Sequence, residues 1–249
     1  MTQKDRLESM KSWLQIHHEI SIEIIMAKWN VSRDTARRDL VKLEKMGDVV
    51  RTKGGAVLAS HQVIRYGDRS QHPSKIKIAK RACELIQEHD HVMFDTSTTV
   101  ELVAKQLNDQ PLSVVTNSID IVAALSDHSD IDIYMIGGKF NRYHRSFLGF
   151  QAAEELSKYR VDKLFIGACG LGLEGLTASS DDEAYVKRSM IASAREVTVL
   201  MDHSKLHKSF LHHVCELSAV HRIITDQPLT DEIKAAAEEY EIEVIITNN

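Results

Sequence analysis

From residue 91 to residue 246, seven short apolar runs alternate with helical segments, and no other feature of the chain constrains its fold so tightly. The runs span 91–95, 113–116, 132–136, 163–168, 197–201, 222–225 and 243–246. Helical patterns lie between most of them, at 98–107, 118–126, 147–158, 182–195 and 230–240. A strand followed by a helix rejoins its sheet as a parallel neighbour, so the pattern predicts an α/β body with a largely parallel sheet. Ligands of such sheets bind beyond the C-terminal strand ends.

Residues 1–58 follow a helical rhythm instead. A first helix over 4–17 places Leu7, Met10 and Leu14 on one face. Ser21 caps a second, 22–29; Asn30 and Val31 turn the chain; Ser32 caps a third that runs to Met46, and Gly47 ends it. Two helices joined by so short a turn predict a helix-turn-helix. At about 100° per residue, Ala36, Leu40 and Leu43 fall on one side of the third helix. Arg37, Arg38, Lys42 and Lys45 fall on the other, with Arg33 and Thr35 near the helix start. A cationic face of this kind fits the major groove, where an arginine fork bonds guanine or grips phosphate. Ser32 and Thr35 can reach phosphates or bases from the helix N-terminus. The run from 48 to 58 then predicts a hairpin turning at Gly54 and Gly55, a wing whose Arg51 and Lys53 reach backbone phosphate.

Charge divides the chain at the same place. Residues 1–58 hold 11 Lys and Arg against 8 Asp and Glu, leaving 20 against 28 for the rest: a head at +3 and a body at −8. That split suits a DNA-binding module carried by a body that does not touch DNA. The polar, aperiodic stretch 59–74 reads as a linker between them, so the expected domains are 1–58 and 75–249. No run approaches the ~20 apolar residues of a membrane span, and the N-terminus carries no apolar signal segment. Three scattered cysteines, Cys83, Cys169 and Cys215, suit a reducing cytoplasm.

Five polar motifs follow expected strands in the body. Asp95-Thr96-Ser97-Thr98-Thr99 opens a helix, where hydroxyls and free N–H groups favour an anion. Read alone, it is ordinary N-capping. Thr116-Asn117 offers an amide that can donate to and accept from a sugar hydroxyl. Gly137-Gly138 lets backbone approach a ligand. The glycine-rich stretch 167–175 leads to Glu183 and Lys187, a pair that is a surface salt bridge on the plainest reading. Asp202 and Lys205 follow the fifth run, Lys205 being a natural counter-charge for phosphate. Each motif is weak alone, but all five occupy one topological position.

These landmarks identify the family. VSRDTARRDLVKLEKMG with its basic wing, then FDTSTTVELVAKQL, VVTNS, IGGKFNRYHRSFLG, VDKLFIGACGL, EAYVKRSMI and DHSKL, resemble the DeoR-family transcriptional regulators over nearly the whole chain. The resemblance implies an N-terminal α+β winged helix-turn-helix and a C-terminal, Rossmann-like sensor domain of the phosphosugar-isomerase type, with phosphorylated sugars or related metabolites as effectors. It implies DNA-binding roles for Ser32, Thr35, Arg37 and Arg38. It implies effector roles for Asp95, Thr98, Thr99, Thr116, Asn117, Gly137, Gly138, Glu183, Lys187, Asp202 and Lys205, with Lys75 at the start of the domain. The sequence departs from the family at Ala36, where isoleucine or valine is usual, and at Ser97, where glycine is usual and a side chain narrows the phosphate cradle. It departs again at Leu206-His207, where an aromatic residue and glycine are usual.

The expectation is therefore a cytoplasmic repressor of a carbohydrate operon, not an enzyme, binding double-stranded operator DNA as a homo-oligomer and modulated by a sugar phosphate. The alternatives are a phosphosugar isomerase with an accessory head, using Glu183 or Asp95 as base, and an activator. No cofactor or metal is expected. His203, His207, His212 and His213 beside Asp202 cluster in sequence, but their spacing suits a metal only on a helix, and Ser204-Lys205 predicts loop. Cys169 lacks a histidine placed beside it by sequence, and no nucleotide-binding glycine fingerprint opens a helix.

Overall fold

The computed structural model describes residues 2–17, 19–46, 49–52, 54–58, 73–142 and 144–247. The chain divides into two compact units, residues 1–64 and 65–249.

The first unit runs α1 (Gln3–His17), β1 (Glu19–Ser21), α2 (Ile22–Trp29), α3 (Arg33–Lys45), β2 (Val49–Thr52) and β3 (Gly55–Leu58). Ser21 and Ser32 cap α2 and α3, accepting from the backbone N–H of Ile24 at 3.1 Å and of Thr35 at 3.2 Å. Asn30 takes the left-handed conformation between the helices, with φ of 48°; asparagine visits that region more readily than most residues. Leu7, Met10 and Leu14 of α1, Ile22 and Ile25 of α2, and Ala36, Leu40 and Leu43 of α3 close one core. Trp13 and Trp29 pack edge to face against it, ring centroids 6.5 Å apart. The wing forms as β2 and β3, and β1 adds an unforeseen antiparallel strand to β3. Gly55 is obligatory at that seam, because a Cβ there would lie 2.1 Å from the carbonyl oxygen of Ile20. Gly47 and Lys53 lie outside the described residues.

The second unit runs α4 (Pro73–Cys83), β4 (His91–Phe94), α5 (Thr98–Gln106), β5 (Leu112–Thr116), α6 (Ile119–Leu125), β6 (Ile131–Met135), β7 (Lys139–Asn141), β8 (Ser146–Leu148), α7 (Phe150–Leu156), β9 (Val161–Gly167), β10 (Gly170–Gly172), β11 (Gly175–Ala178), α8 (Asp181–Ser193), β12 (Ala194–Leu200), β13 (His212–Cys215), β14 (Arg222–Thr225), α9 (Asp231–Glu239) and β15 (Glu243–Ile246). All seven expected strands form, and they pair in parallel in the order β15-β14-β12-β9-β4-β5-β6.

Helices cover both faces of this sheet, and alternate residues supply the two cores. Val92 and Phe94 of β4, Phe165 of β9 and Leu200 of β12 share a core with α4, α5 and α6. Met93, Leu164, Ile166, Val197 and Val199 share the other with α7, α8 and α9. From β4 the chain steps outward through β5 to β6; from β9 it steps the other way through β12 and β14 to β15. The order therefore reverses between β4 and β9, a topological switch point where a crevice opens at the strand ends.

Two expectations are corrected, and one sheet goes beyond them. Of the expected linker, 59–72 lies outside the described residues, while Pro73 and Ser74 open α4; proline at a helix start forfeits no intrahelical bond. Residues 147–158 are not one helix, since Ser146–Leu148 is a strand and α7 begins after Gly149. β10, β11 and β13 make a separate antiparallel sheet that the strand pattern did not signal.

Candidate functional site

A pocket of about 150 Å³ sits at the switch point. The ends of β4, β9 and β12 deliver Asp95 to Thr99, Gly167 to Cys169, and Met201 with Asp202. α4 contributes Lys75, α8 contributes Glu183 and Lys187, and the turn after β12 contributes Lys205.

Asp95 organises the floor. Its carboxylate accepts from the backbone N–H of Ser97 at 2.8 Å and of Gly167 at 3.1 Å, and from the ammonium of Lys187. Lys187 Nζ also donates to the carbonyl of Gly167 at 2.8 Å. Both side chains are buried. Burial opposes the charge of Lys187, but Asp95 and then Glu183 outweigh it and raise its pKa above the ordinary lysine value. The plain reading of Glu183 and Lys187 as a surface pair is thus corrected. Lys187 turns to Asp95, while Glu183 accepts from Cys169 Sγ at 3.1 Å and Ser179 Oγ at 3.2 Å. Burial pushes the Glu183 pKa up, but Lys187 and His144 together bring it below its ordinary value, so it remains a carboxylate.

A second group of charges gathers at the start of α5. Lys75 Nζ donates to Thr98 Oγ1 at 3.1 Å. Asp202 accepts from the Ser204 N–H at 3.0 Å. Against burial, Ser204, Lys205 and Lys75 hold its pKa low. Ser97 caps α5, its hydroxyl accepting from the Thr99 N–H at 3.2 Å. It also fills the gap between the β4 and β9 loops: a Cβ on Gly167 would fall 2.2 Å from Ser97 Cβ. The Ser97 side chain is thus packed against Gly167, where no larger residue would fit. His207 takes φ of 56°, so the loop makes a left-handed turn there without a glycine.

Four residues read as effector ligands are not brought to this pocket. Thr116 and Asn117 are fully buried, Asn117 against the β7–β8 hairpin. Thr116 Oγ1 donates to the Phe94 carbonyl at 2.9 Å, and Asn117 Nδ2 to the Phe147 carbonyl at 2.7 Å. Gly137 and Gly138 lie exposed in the turn from β6 to β7. Conversely, His144, from the tip of that hairpin, lines the pocket and was not foreseen. Only its place in a landmark motif could have singled it out.

Cys169 shares the pocket with His144, yet its thiol donates to Glu183, and burial with that carboxylate pushes its pKa up to about 12. Burial likewise holds Cys83 and Cys215 at about 11. Such thiols are poor nucleophiles. Iodoacetamide at pH 7.5 is expected to leave all three unmodified in the folded chain and to alkylate all three in guanidinium, as read by mass spectrometry. Rapid labelling of folded Cys169 would show a thiolate that this geometry does not support. Of the clustered histidines, His203 lies 3.0 Å from Asp226, His212 3.7 Å from Asp181 and His213 3.4 Å from Glu216. Among the described residues no group of three or more His, Cys, Asp or Glu is placed to hold a metal ion.

The head presents a second site. Ala36, Leu40 and Leu43 of α3 are buried, while Arg37, Arg38, Lys42 and Lys45 are exposed on its other side. Among the described residues neither Arg37 nor Arg38 has an ion-pair partner. Arg33 meets Glu23 at 3.4 Å and Arg51 meets Glu44 at 2.7 Å, exposed pairs that a phosphate can displace at little cost. Lys42 Nζ donates to Gln3 Oε1 at 2.5 Å, and Ser32 and Thr35 bond each other at 2.9 Å. Asp39, unremarked in the sequence, is buried and accepts from Arg6 Nε at 2.6 Å and Gln3 Nε2 at 2.7 Å.

Comparison with known proteins follows the same division. A model described as the DeoR-like helix-turn-helix domain matches residues 6–62, and one described as the DeoR C terminal sensor domain matches residues 70–227. The HTH-type transcriptional repressor GlcR of Bacillus subtilis (strain 168) is 43% identical over 231 residues, covering 91% of this chain and 90% of that protein. The HTH-type transcriptional regulator IolR of the same strain is 34% identical over 242 residues, covering 95% and 96%. Ribose 5-phosphate isomerase A from Methanocaldococcus jannaschii superposes with a TM-score of 0.38 at 20% identity over 53% of each chain, a likeness that assigns neither function nor ligand. Among the described residues no helix is long and apolar enough to cross a membrane. With both matched regions in order along the chain, and a relative this similar over nine-tenths of its length, the chain belongs to the DeoR family of transcriptional regulators.

Proposed function

We propose that the chain is a DNA-binding repressor of a carbohydrate-metabolism operon, and that a phosphorylated sugar bound at the switch-point pocket alters its hold on the operator. The observation that carries the sensing half is the meeting of Lys75, Lys205 and the α5 hydroxyls in one small pocket. Lysines, hydroxyls and a helix N-terminus together suit a phosphate. The exposed face of α3 carries the DNA-binding half. The head, the body and a linker between them act as separate parts, and two or more copies read repeated half-sites.

The same geometry disfavours an isomerase. Asp95 spends its oxygens on three donors, and Glu183 is engaged by Cys169 and Ser179, so neither carboxylate is a free base.

The test is fluorescence anisotropy with the chain's own upstream DNA, titrated with salt and with sugar phosphates. Sequence-selective binding that weakens steeply with salt and shifts with one sugar phosphate is expected. Non-selective binding at every salt concentration would end the proposal. Lys205→Ala is expected to weaken effector binding by about 1.5–3 kcal/mol, the worth of a hydrogen bond to a charged group. It should spare operator affinity without effector. An unaltered effector titration would remove Lys205 from the site.

A further inference from the structure

His144 stands at the tip of an anchored strap. Phe147 N–H donates to the Asn117 carbonyl at 2.9 Å and Asn117 Nδ2 returns to the Phe147 carbonyl at 2.7 Å. The Ile119 N–H donates to the Arg145 carbonyl at 3.2 Å, and Arg145 Nε reaches both oxygens of Asp120 at 2.8 Å. His144 N–H itself donates to Asn141 Oδ1 at 3.0 Å. The β7–β8 hairpin is thereby tied to the end of β5, and its tip holds a half-buried imidazole in the pocket wall.

The pocket is chemically two-ended. Lys75, Thr98, Asp202 and Lys205 form one group, joined by the Lys75–Thr98 bond and by the field of both lysines on Asp202. Glu183 and Cys169 form the other, with Lys187 committed to Asp95 and Gly167. A phosphate belongs with the two lysines, which outweigh the single carboxylate between them, Asp202, whereas Lys187, the ammonium that stabilises Glu183, is already paired with Asp95. What remains beside His144 and Glu183 is room for the uncharged part of the same ligand. A carboxylate only accepts hydrogen bonds, whereas an imidazole can donate, so the two offer a hydroxyl complementary partners.

We propose that His144, with Glu183, reads the hydroxyl pattern of the effector's sugar portion, and so sets which phosphorylated sugar is sensed. The assignment rests on the proposed reading of the pocket as a sugar-phosphate site.

The test is calorimetric titration of the full chain with ribose 5-phosphate, fructose 6-phosphate, glucose 6-phosphate, glucosamine 6-phosphate and inorganic phosphate. His144→Ala is expected to weaken the best-bound sugar phosphate about 10- to 100-fold and to flatten the ranking among the four. Inorganic phosphate should bind within about twofold of wild type, since its donors lie at the other end. His144→Gln, which keeps a donor and is the gentler change to the fold, should retain part of the preference. Lys205→Ala should weaken every probe, inorganic phosphate included. An unchanged ranking in both His144 variants would overturn the assignment while leaving the sensor reading intact. Equal loss on inorganic phosphate and on sugars would move His144 to the phosphate end and overturn it too. Wild-type protein that binds inorganic phosphate but none of the sugars would overturn the sensor reading itself, and this assignment with it.

Discussion

Lys187→Met is expected to destabilise the sensor body by about 3–5 kcal/mol, the usual penalty for removing one partner of a buried ion pair. Methionine keeps much of the volume, so the loss is electrostatic. Asp95, 2% exposed, would keep two backbone N–H donors but no neutralising charge. The raised pKa of Lys187 fixes the pH dependence. A lysine whose folded pKa lies above its unfolded value of about 10.4 contributes fully below that value and loses the contribution only as pH rises through the folded one. Urea unfolding should therefore show a nearly constant difference between wild type and variant from pH 6 to 9. Asp95→Asn combined with Lys187→Met should recover part of the loss, because the orphaned charge is then gone. A single-variant loss below about 1 kcal/mol would mean that Asp95 finds water or another cation, and that the pocket floor is not rigid.

This ion pair marks what the sequence could show of the site and what it could not. Asp95 and Lys187 were each legible as candidates, because Asp95 follows a strand and Lys187 lies one turn beyond Glu183 on a helix after a glycine-rich stretch. Their partnership was not, since 92 residues separate them and only the sheet order brings them together. Strand existence was legible because a doubly covered parallel sheet demands apolar runs with few polar interruptions. The role of the β5 end was not. Thr116 and Asn117 carry the right groups in the right topological position, but Thr116 turns to the Phe94 carbonyl and the β7–β8 hairpin engages Asn117, and nothing in VVTNS shows either contact. His144 escaped notice for the complementary reason: it comes from the hairpin, not from a strand end. In the head, Asp39 follows the helical period of Ala36, Leu40 and Leu43. Its charge argued for the outside, and only Arg6 and Gln3, more than thirty residues earlier, make its burial affordable.

Exposure and the lack of ion-pair partners make Arg37 and Arg38 the residues whose loss should be felt in DNA binding and almost nowhere else. Each alanine substitution is expected to weaken operator binding by about 1–3 kcal/mol, and the double variant by more than either. Unfolding stability should stay within about 0.5 kcal/mol of wild type, as for other surface changes that break no buried contact. Salt separates the two ways an arginine can act. One that grips phosphate lowers the slope of log K against log salt by about 1 when removed and weakens all sequences alike. One that reads guanine leaves the slope nearly unchanged and relaxes selectivity at a single base position. The two residues are adjacent, so they point about 100° apart around α3 and cannot both face the groove floor. We therefore expect one variant of each kind, resolved by anisotropy titrations at several salt concentrations on operator and scrambled duplexes. If neither variant changes affinity, slope or selectivity, α3 does not enter the groove by this face.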